Sequence, residues 1–230
     1  MNNKTNVAAG WSFARIGGVA GLVFAATIVA PNLILEPAGL PRVGAELDEV
    51  TAFFTTKSDV VGWSLYFLPT AWLSLTIFGA AAVAALWPRE RATGSAWSLV
   101  GFAGMLLQNA TFVGISGIRL ALTTTTDRSG LWTLHNAMFT VNGTFLALAM
   151  LGLSLAGLRT GTIARWHGTL GLIAAAGQFL SATLVAPIID HTGPLTLLSL
   201  ASWLLWVVWI VAYGVTLIRL RRNHLDDQRD

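Results

Sequence analysis

Three residues of this sequence can exchange a proton and lie near the ends of long apolar stretches, namely Asp59, His135 and Asp190. An imidazole gives and takes protons near neutral pH, which makes His135 the strongest single candidate. A carboxyl group that is buried stays protonated more readily, so Asp59 and Asp190 could each deliver a proton inside an apolar site. We therefore interpret these three side chains as candidate catalytic acids or bases.

A second group of polar and aromatic side chains falls at similar depth and is interpreted as substrate-binding. Its members are Glu36, Tyr66, Trp72, Arg119, Asn136, Gln178, Trp203 and Trp206. Arg119 is the most expensive of them in an apolar stretch because a guanidinium stays charged, and Glu36, Asp59 and Asp190 are its expected partners. The tryptophan ring faces could stabilise a developing positive charge.

An interpretation of the same residues as purely structural also stays open. Carboxylates near the end of a membrane span are solvated by water or headgroups, and Arg119 could extend its side chain to the interface. Amide side chains at mid-depth often hold neighbouring helices together through hydrogen bonds. In one stripe, Asp59 and Tyr66 recur at helical spacing with Trp63, and Pro69 is expected to bend that helix.

The chain that must position these residues is too apolar for a soluble fold. Hydrophobic residues make up 54% of it and charged residues 11%, against about 25% charged in typical soluble domains. The mean hydropathy is +0.66. The absence of cysteine excludes disulfides, thiol catalysis and cysteine-ligated metal sites. This composition predicts an integral membrane protein.

A membrane-spanning helix needs about 20 apolar residues, and six stretches are long enough. They cover 11–35, 60–87, 96–120, 131–158, 166–189 and 195–218. Because the runs are continuous rather than alternating, they predict helices. The expected fold class is all-α, with residues 1–230 forming one polytopic membrane helix bundle whose successive helices are antiparallel neighbours.

The loops between the predicted spans differ in charge. The side with both termini carries ten cations and four acids, and the other side carries four cations and seven acids. The positive-inside rule therefore predicts a multi-pass protein of the cell membrane with both termini in the cytoplasm. The high isoelectric point of about 10.0 then reflects topology, and we expect no nucleic-acid partner.

The first outer loop, residues 36–59, is longer than the others and contains a predicted amphipathic helix over 45–57. Its apolar residues at helical spacing are Leu47, Val50, Phe53 and Phe54. This helix could cover an outward-facing cavity or serve as a connector on the lipid headgroups. Glycine pairs at positions 17/21, 101/104, 114/117 and 168/171 are expected to let helices pack closely.

Sequence motifs for common cofactors and catalytic machinery are absent. There is no P-loop, dinucleotide fingerprint, HExxH or nucleophile elbow. The four histidines are scattered, which argues against a haem or an all-histidine zinc site. We expect no metal and no cofactor, and the sequence leaves the oligomeric state unknown.

Two long segments carry a resemblance, "LRTGTIARWHGTLGL" at 158–172 and "GPLTLLSLASWLLWVVWIVAYGVTLIRLRR" at 193–222. Together with the glycine-rich first span and the acidic outer segment ending in Phe53-Phe54, they resemble a group of small actinobacterial integral membrane proteins that carry a domain of unknown function. The resemblance implies a six-helix membrane protein. It implies no activity and no catalytic residue.

Two functions are compatible with these observations. The first is a membrane enzyme that cyclises or isomerises a lipophilic small molecule of isoprenoid, polyene or polyketide type by acid/base catalysis, as in natural product and terpenoid biosynthesis. Small membrane-bound terpene cyclases are similar in size and chemistry. The alternative is a non-catalytic protein that binds lipid or another ligand, or an accessory subunit. The first function places its substrate in a cavity in the outer half of the bundle, and membrane lipid is an expected partner.

Overall fold

The computed structural model describes residues 12–184 and 195–226, with side chains for 12–184 and 197–220. In these ranges the chain forms helices and no strand. The helices are α1 (Phe13–Leu35), α2 (Leu47–Thr56), α3 (Ser58–Leu65), α4 (Leu68–Ala92), α5 (Trp97–Thr124), α6 (Ser129–Arg159), α7 (Arg165–Thr183) and α8 (Leu195–Asp226). The prediction of an all-α chain is confirmed for this part.

Five helical stretches in the described part are long and apolar enough to cross a membrane. They are Phe13–Leu35, Ser58–Ala92, Trp97–Thr124, Ser129–Arg159 and Leu197–Leu220. The stretch predicted over 166–189 corresponds to α7, which is not among the five. Its described part ends at Thr183 and carries polar groups such as His167 and Gln178. Five such helices indicate a multi-pass membrane protein.

The long helices α1, α4, α5, α6, α7 and α8 pack in a closed ring that follows chain order, and α8 returns to α1. Where two neighbouring helices touch, residue numbers rise along one helix as they fall along the other. Gly18 of α1 lies against Gly214 of α8, for example, while Phe24 lies against Trp206. The neighbours are therefore antiparallel, as the short connections predict. We call the end of the ring that carries α2 the α2 end.

Glycines let the helices of the ring approach each other closely. A Cβ on Gly104 would lie 2.5 Å from the backbone nitrogen of Ala149, and a Cβ on Gly101 would lie 2.7 Å from that of Leu153, so α5 and α6 touch backbone to backbone. The other predicted glycines pack closely against side chains of neighbouring helices, with one exception. A Cβ on Gly117 would meet no atom within 4 Å, so Gly117 has no packing role in the described chain.

The interior of the ring is tightly filled in the half away from the α2 end. Phe78, Met150 and Leu153 are fully buried there together with Trp209 and Tyr213. The polar atoms of the last two residues are satisfied, since Trp209 Nε1 donates to Ser154 Oγ at 3.1 Å and Tyr213 Oη donates to the Leu153 carbonyl at 3.3 Å. This half is a packed core.

The same end of the ring is fastened by a buried carboxylate. Glu90 near the end of α4 accepts a hydrogen bond from the backbone N–H of Ser98 at 3.0 Å and another from the Ser95 hydroxyl at 3.2 Å. Ser98 lies in the first turn of α5, where N–H groups lack partners within the helix and a negative charge is favourable. Glu90 thus caps α5.

The second predicted span is interrupted close to Pro69. Helix α3 ends at Leu65, Tyr66 and Phe67 form a turn, and α4 begins at Leu68 with the proline in its first turn. Proline is accepted at that position because its missing N–H would have no helical partner there. The helix is thus interrupted beside Pro69, although Tyr66 and Phe67 keep right-handed helical backbone angles. The predicted bend stays a prediction.

Helix α2 covers much of the predicted amphipathic segment and packs onto the bundle. Val50 and Phe54 are fully buried in a cluster with Leu35, Leu122 and Trp132. Glu46, Asp48 and Glu49 are exposed on the opposite side of the segment. The side chain of Trp132 also donates to the Ala45 carbonyl at 3.2 Å, which ties the segment before α2 to α6.

Candidate functional site

A cavity of about 690 Å³ occupies the half of the ring nearest the α2 end. It lies between α1, α5, α6, α7 and α8, and the chain around residues 37–43 closes part of its wall. The polar and charged residues of the wall include Asn32, Glu36, Arg42, Gln108, Arg119, His135, Asn142, Gln178, Ser181 and Ser199. The loop before α2, and not α2 itself, therefore contributes to the cavity.

Arg119 is a cation of the cavity wall whose side chain is held by aromatic neighbours. Its Nε donates a hydrogen bond to His135 Nε2 at 3.0 Å, and its guanidinium carbon lies 5.9 Å from the centre of the Phe139 ring. The His135 ring is in turn stacked on Trp132 at 4.8 Å and next to Phe139 at 5.8 Å. The guanidinium is thereby fixed in position and orientation.

Among the described residues, the hydrogen-bond partner of Arg119 is the neutral ring of His135 and neither Glu36 nor Asp59. Asp190, the third carboxylate expected to pair with it, lies outside the described residues. Glu36 also lines the cavity, and its negative charge acts on Arg119. Sequence order could not reveal this arrangement, because it depends on how α5 and α6 face each other.

The partners of His135 define which of its nitrogens carries the hydrogen. Since Nε2 accepts from Arg119, the hydrogen is on Nδ1, which lies 3.4 Å from Asn136 Oδ1. Both ring nitrogens are therefore directed at protein groups. In this arrangement His135 positions Arg119.

Three residues of the deeper cavity wall carry buried polar atoms without partners. Gln108 Oε1, Asn142 Oδ1 and Ser181 Oγ are buried and have no hydrogen-bond partner in the described chain. Each of these side chains is at most 5% exposed. Buried polar atoms of folded proteins are nearly always hydrogen-bonded, so three orphaned atoms on one cavity wall indicate a place for a polar partner.

The remaining wall is apolar and aromatic. Trp203 and Trp206 of α8 line it together with Phe112 of α5 and Leu146 of α6. Trp206 packs edge-on against Phe24 with ring centres 5.5 Å apart, so its position is fixed by α1. A cavity with mostly apolar walls and a few placed polar groups is typical of a small-molecule site.

The cavity reaches the surface of the bundle between α1 and α8. Leu33 of α1 is 70% exposed, Leu200 and Leu204 of α8 are each more than 50% exposed, and all three line the cavity. In a membrane these three exposed apolar side chains would contact the acyl chains. The opening therefore suits a ligand that dissolves in lipid.

The structure brings six of the predicted site residues together in this cavity. They are Glu36, Arg119, His135, Gln178, Trp203 and Trp206. Gln178 additionally donates through Nε2 to the Ser199 carbonyl at 3.2 Å, which joins α7 to α8. Gln178 therefore also fits the structural interpretation, in which amide side chains hold neighbouring helices together.

Other predicted site residues lie elsewhere. Asp59 and Tyr66 are exposed, and Tyr66 packs on Trp63 with ring centres 5.4 Å apart, so their stripe faces away from the ring. Trp72 and Asn136 do not line the cavity. Asp190 lies outside the described residues.

Sequence reasoning did not include Gln108, Asn142, Ser181 and Arg42 among the site residues. A signal for two of them was present, because Asn142 follows His135 by seven residues and Gln108 precedes Arg119 by eleven, spacings that place each pair on one helix face. Arg42 gave no such signal, since it lies in an irregular loop. Within the described residues no group of three or more His, Asp or Glu side chains could hold a metal ion.

Comparison with known proteins gives no match to a family model, to a curated protein or to a solved structure. The resemblance to small actinobacterial membrane proteins therefore stays a prediction. The function is therefore inferred from the cavity alone.

Proposed function

We propose that this protein binds a lipophilic small molecule in the cavity at the α2 end. The observation that carries the proposal is the cavity itself, which combines an apolar aromatic wall with buried polar atoms that lack partners. Its volume of about 690 Å³ lies within the range of roughly 300–1,000 Å³ that holds drug-sized ligands.

The proposal includes a membrane arrangement. Six spans in the cell membrane, with α7 as the fifth, would put both termini in the cytoplasm and the α2 end outside. The charge of the turns supports this orientation, since Arg89, Arg91, Arg159 and Arg165 all lie at the end opposite α2. The ligand would then be taken up through the opening between α1 and α8, from the outer leaflet.

The experiment is mass spectrometry of organic extracts from protein purified in mild detergent. Ser181→Phe should fill the cavity, because Ser181 lines it and is buried, whereas Thr183→Phe two residues later on α7 replaces an exposed side chain. We expect one lipophilic compound to be enriched in the wild type and in Thr183→Phe and to be lost from Ser181→Phe. Identical bulk lipid in all three samples would contradict the proposal.

Acid/base-catalysed cyclisation or isomerisation of such a ligand is the second candidate. It is favoured by the presence of a carboxyl group, Glu36, and an imidazole, His135, on the wall of one cavity. His135 is bonded to Arg119 through the nitrogen that would have to carry a proton, so Glu36 is the better proton donor of the two. Asp59 and Asp190 as proton carriers stay predictions.

The two candidates differ in what Glu36→Gln does to the bound compound. A catalyst should yield extracts in which the wild type holds product and the variant holds an unconverted isomer of the same mass. A non-catalytic binding or accessory protein should hold the same compound in both samples. Membrane lipid and a lipophilic small molecule are the partners expected in either case, with no nucleic acid.

A further inference from the structure

We propose that the ligand is an acidic amphiphile whose anionic headgroup binds Arg119 and whose body carries a hydroxyl group that binds Gln108 and Asn142. This inference depends on the proposed function, because it describes the chemistry of the molecule that occupies the same cavity. It follows from three features of the wall, namely a prepositioned guanidinium, a partly buried cation without an ion pair among the described residues, and deep acceptor atoms without donors.

The first feature is that only one of the three guanidinium nitrogens of Arg119 has a hydrogen-bond partner among the described residues. Its Nε is used by His135, while its terminal nitrogens have no hydrogen-bond partner among the described residues. A guanidinium with two free nitrogens in one plane binds a carboxylate or a phosphate through two parallel hydrogen bonds. Because His135 and Phe139 already hold the side chain, little conformational entropy is lost when an anion binds.

The second feature is the charge of the wall. Arg42 and Glu36 line the cavity but are exposed, so solvent or headgroups reach them, whereas Arg119 is the partly buried charge of the wall. No ion pair joins Arg119 to a carboxylate among the described residues, and its only side-chain hydrogen bond goes to a neutral ring. A charge at membrane depth needs a counter-charge, and an anionic headgroup would supply it.

The third feature lies deeper in the cavity. Gln108 Oε1 and Asn142 Oδ1 are hydrogen-bond acceptors without a donor, on side chains that are 3% and 5% exposed. An amide oxygen is satisfied by a donor, so an O–H or N–H group of the ligand fits here. Phe112 and Leu146 line the stretch between the two polar ends.

The distance between the two ends sets the length of the ligand. Gln108 precedes Arg119 by eleven residues on α5, which corresponds to about 16 Å along the helix axis. Asn142 follows His135 by seven residues on α6, which corresponds to about 10 Å. The ligand class is therefore a long-chain or polycyclic acid with a hydroxyl group roughly 10–16 Å from the headgroup.

The experiment compares four probes with purified protein in detergent by isothermal titration. The probes are a long-chain fatty acid, the fatty alcohol of the same length, the alkyl phosphate of that length, and the fatty acid with a mid-chain hydroxyl. We expect both anions to bind about tenfold to a hundredfold more tightly than the alcohol, as charge-assisted hydrogen bonds predict. The tighter of the two anions identifies the headgroup as a free acid or a phosphorylated lipid.

Variants assign the preference to residues. Arg119→Gln should bind the acid and the alcohol equally, while Arg119→Lys should keep part of the preference. Arg128→Gln is the matched control, since Arg128 is an arginine of the same end that does not line the cavity. Gln108→Leu should bind the unsubstituted acid as the wild type does and should lose the extra affinity for the hydroxy acid.

The outcomes separate this inference from the proposed function. If all probes bind the wild type with one affinity and Ser181→Phe abolishes their binding, the cavity is a ligand site and the acidic headgroup is wrong. An acid preference that persists in Arg119→Gln also overturns the inference. If no probe binds and extracts hold no enriched compound, the proposed function itself fails.

Discussion

At the scale of single residues, the proposed ligand chemistry depends on the arrangement around Arg119. The guanidinium lies near an aromatic face and donates to a histidine ring that is itself stacked on Trp132. A charged side chain inside an apolar bundle is costly unless it is paired. Here the pairing is partial, and the unpaired part of the group lies in the cavity.

Removal of the histidine acceptor should therefore weaken both the fold and the site. His135→Phe keeps a ring between Trp132 and Phe139 but leaves Arg119 Nε without its acceptor. We expect a loss of about 1.5–3 kcal/mol in the free energy of unfolding, the usual contribution of a hydrogen bond to a charged group. Denaturant unfolding in detergent measures it, and ligand affinity should fall in parallel.

Thr133→Val provides the control for this substitution. Thr133 lies one half-turn earlier on α6, is exposed and bonds only to the carbonyl of Ser129 in its own helix. Its replacement should change the unfolding free energy by less than about 0.5 kcal/mol. Equal losses in the two variants would contradict the role assigned to His135.

The sequence predicts several cavity residues correctly and misplaces others for a physical reason. Arg119 and His135 stand out because charged or titratable groups are rare in apolar helices. Periodicity shows that Asp59 and Tyr66 share a face, but it cannot show which way the face points. The turn at residues 66–67 separates α3 from α4, and the shared face ends on the outside of the ring.

At the scale of helices, α5 and α6 are in backbone contact. Gly104 faces the backbone nitrogen of Ala149 and the carbonyl of Phe145, so a side chain there meets atoms that cannot rotate away. Both helices also carry the residues of the Arg119–His135 pair. The glycines thus bring together the two elements that form one end of the cavity.

A methyl group at this contact should separate the two helices. Gly104→Ala is expected to lower the free energy of unfolding by about 1–3 kcal/mol, as overpacking does in other cores. Gly117→Ala on the same helix meets open space and should gain up to about 1 kcal/mol from helix propensity. Thermal unfolding of the two variants checks the difference, and a stable Gly104→Ala would contradict the close contact.

Helix α2 shows which part of an element can be predicted from its pattern. Amphipathic spacing gives the helix and its buried residues Val50, Phe53 and Phe54. The spacing does not tell whether that face lies on lipid or on protein, because both surfaces are apolar. The structure places it on the bundle beside Trp132, while the loop before it lines the cavity.

At the scale of the whole molecule, the ring is packed at one end and open at the other. The packed half contains Trp209 and Tyr213 with their polar atoms satisfied, and the cavity half contains Gln108 and Asn142 with acceptors unsatisfied. The apolar composition and the all-α class of the described part follow from the sequence. Closure of the ring and the volume it leaves do not, because both depend on contacts between residues far apart in the chain.

The orientation of the ring can be tested directly because the chain contains no cysteine. Thr126→Cys introduces a thiol in the turn after α5 at the α2 end, and Ala164→Cys introduces one before α7 at the opposite end, both at exposed positions. A membrane-impermeant maleimide should label Thr126→Cys in intact cells and Ala164→Cys only after lysis. The reverse pattern would contradict the orientation.

The same experiment reports on α7 when a reporter is added at the C-terminus. If α7 crosses the membrane as the fifth of six spans, the reporter should be on the cytoplasmic side together with position 164. A reporter on the outside would limit the chain to five spans, the number of helices in the described part that are apolar enough to cross.

The central claim is that the cavity at the α2 end holds an acidic amphiphile, and an experimental structure of the protein purified in native membrane lipid tests it most directly. The account predicts continuous non-protein density that begins at the terminal nitrogens of Arg119 and ends within hydrogen-bond distance of Gln108 and Asn142. Density with no headgroup at Arg119, or a cavity closed by the protein's own side chains, would contradict it.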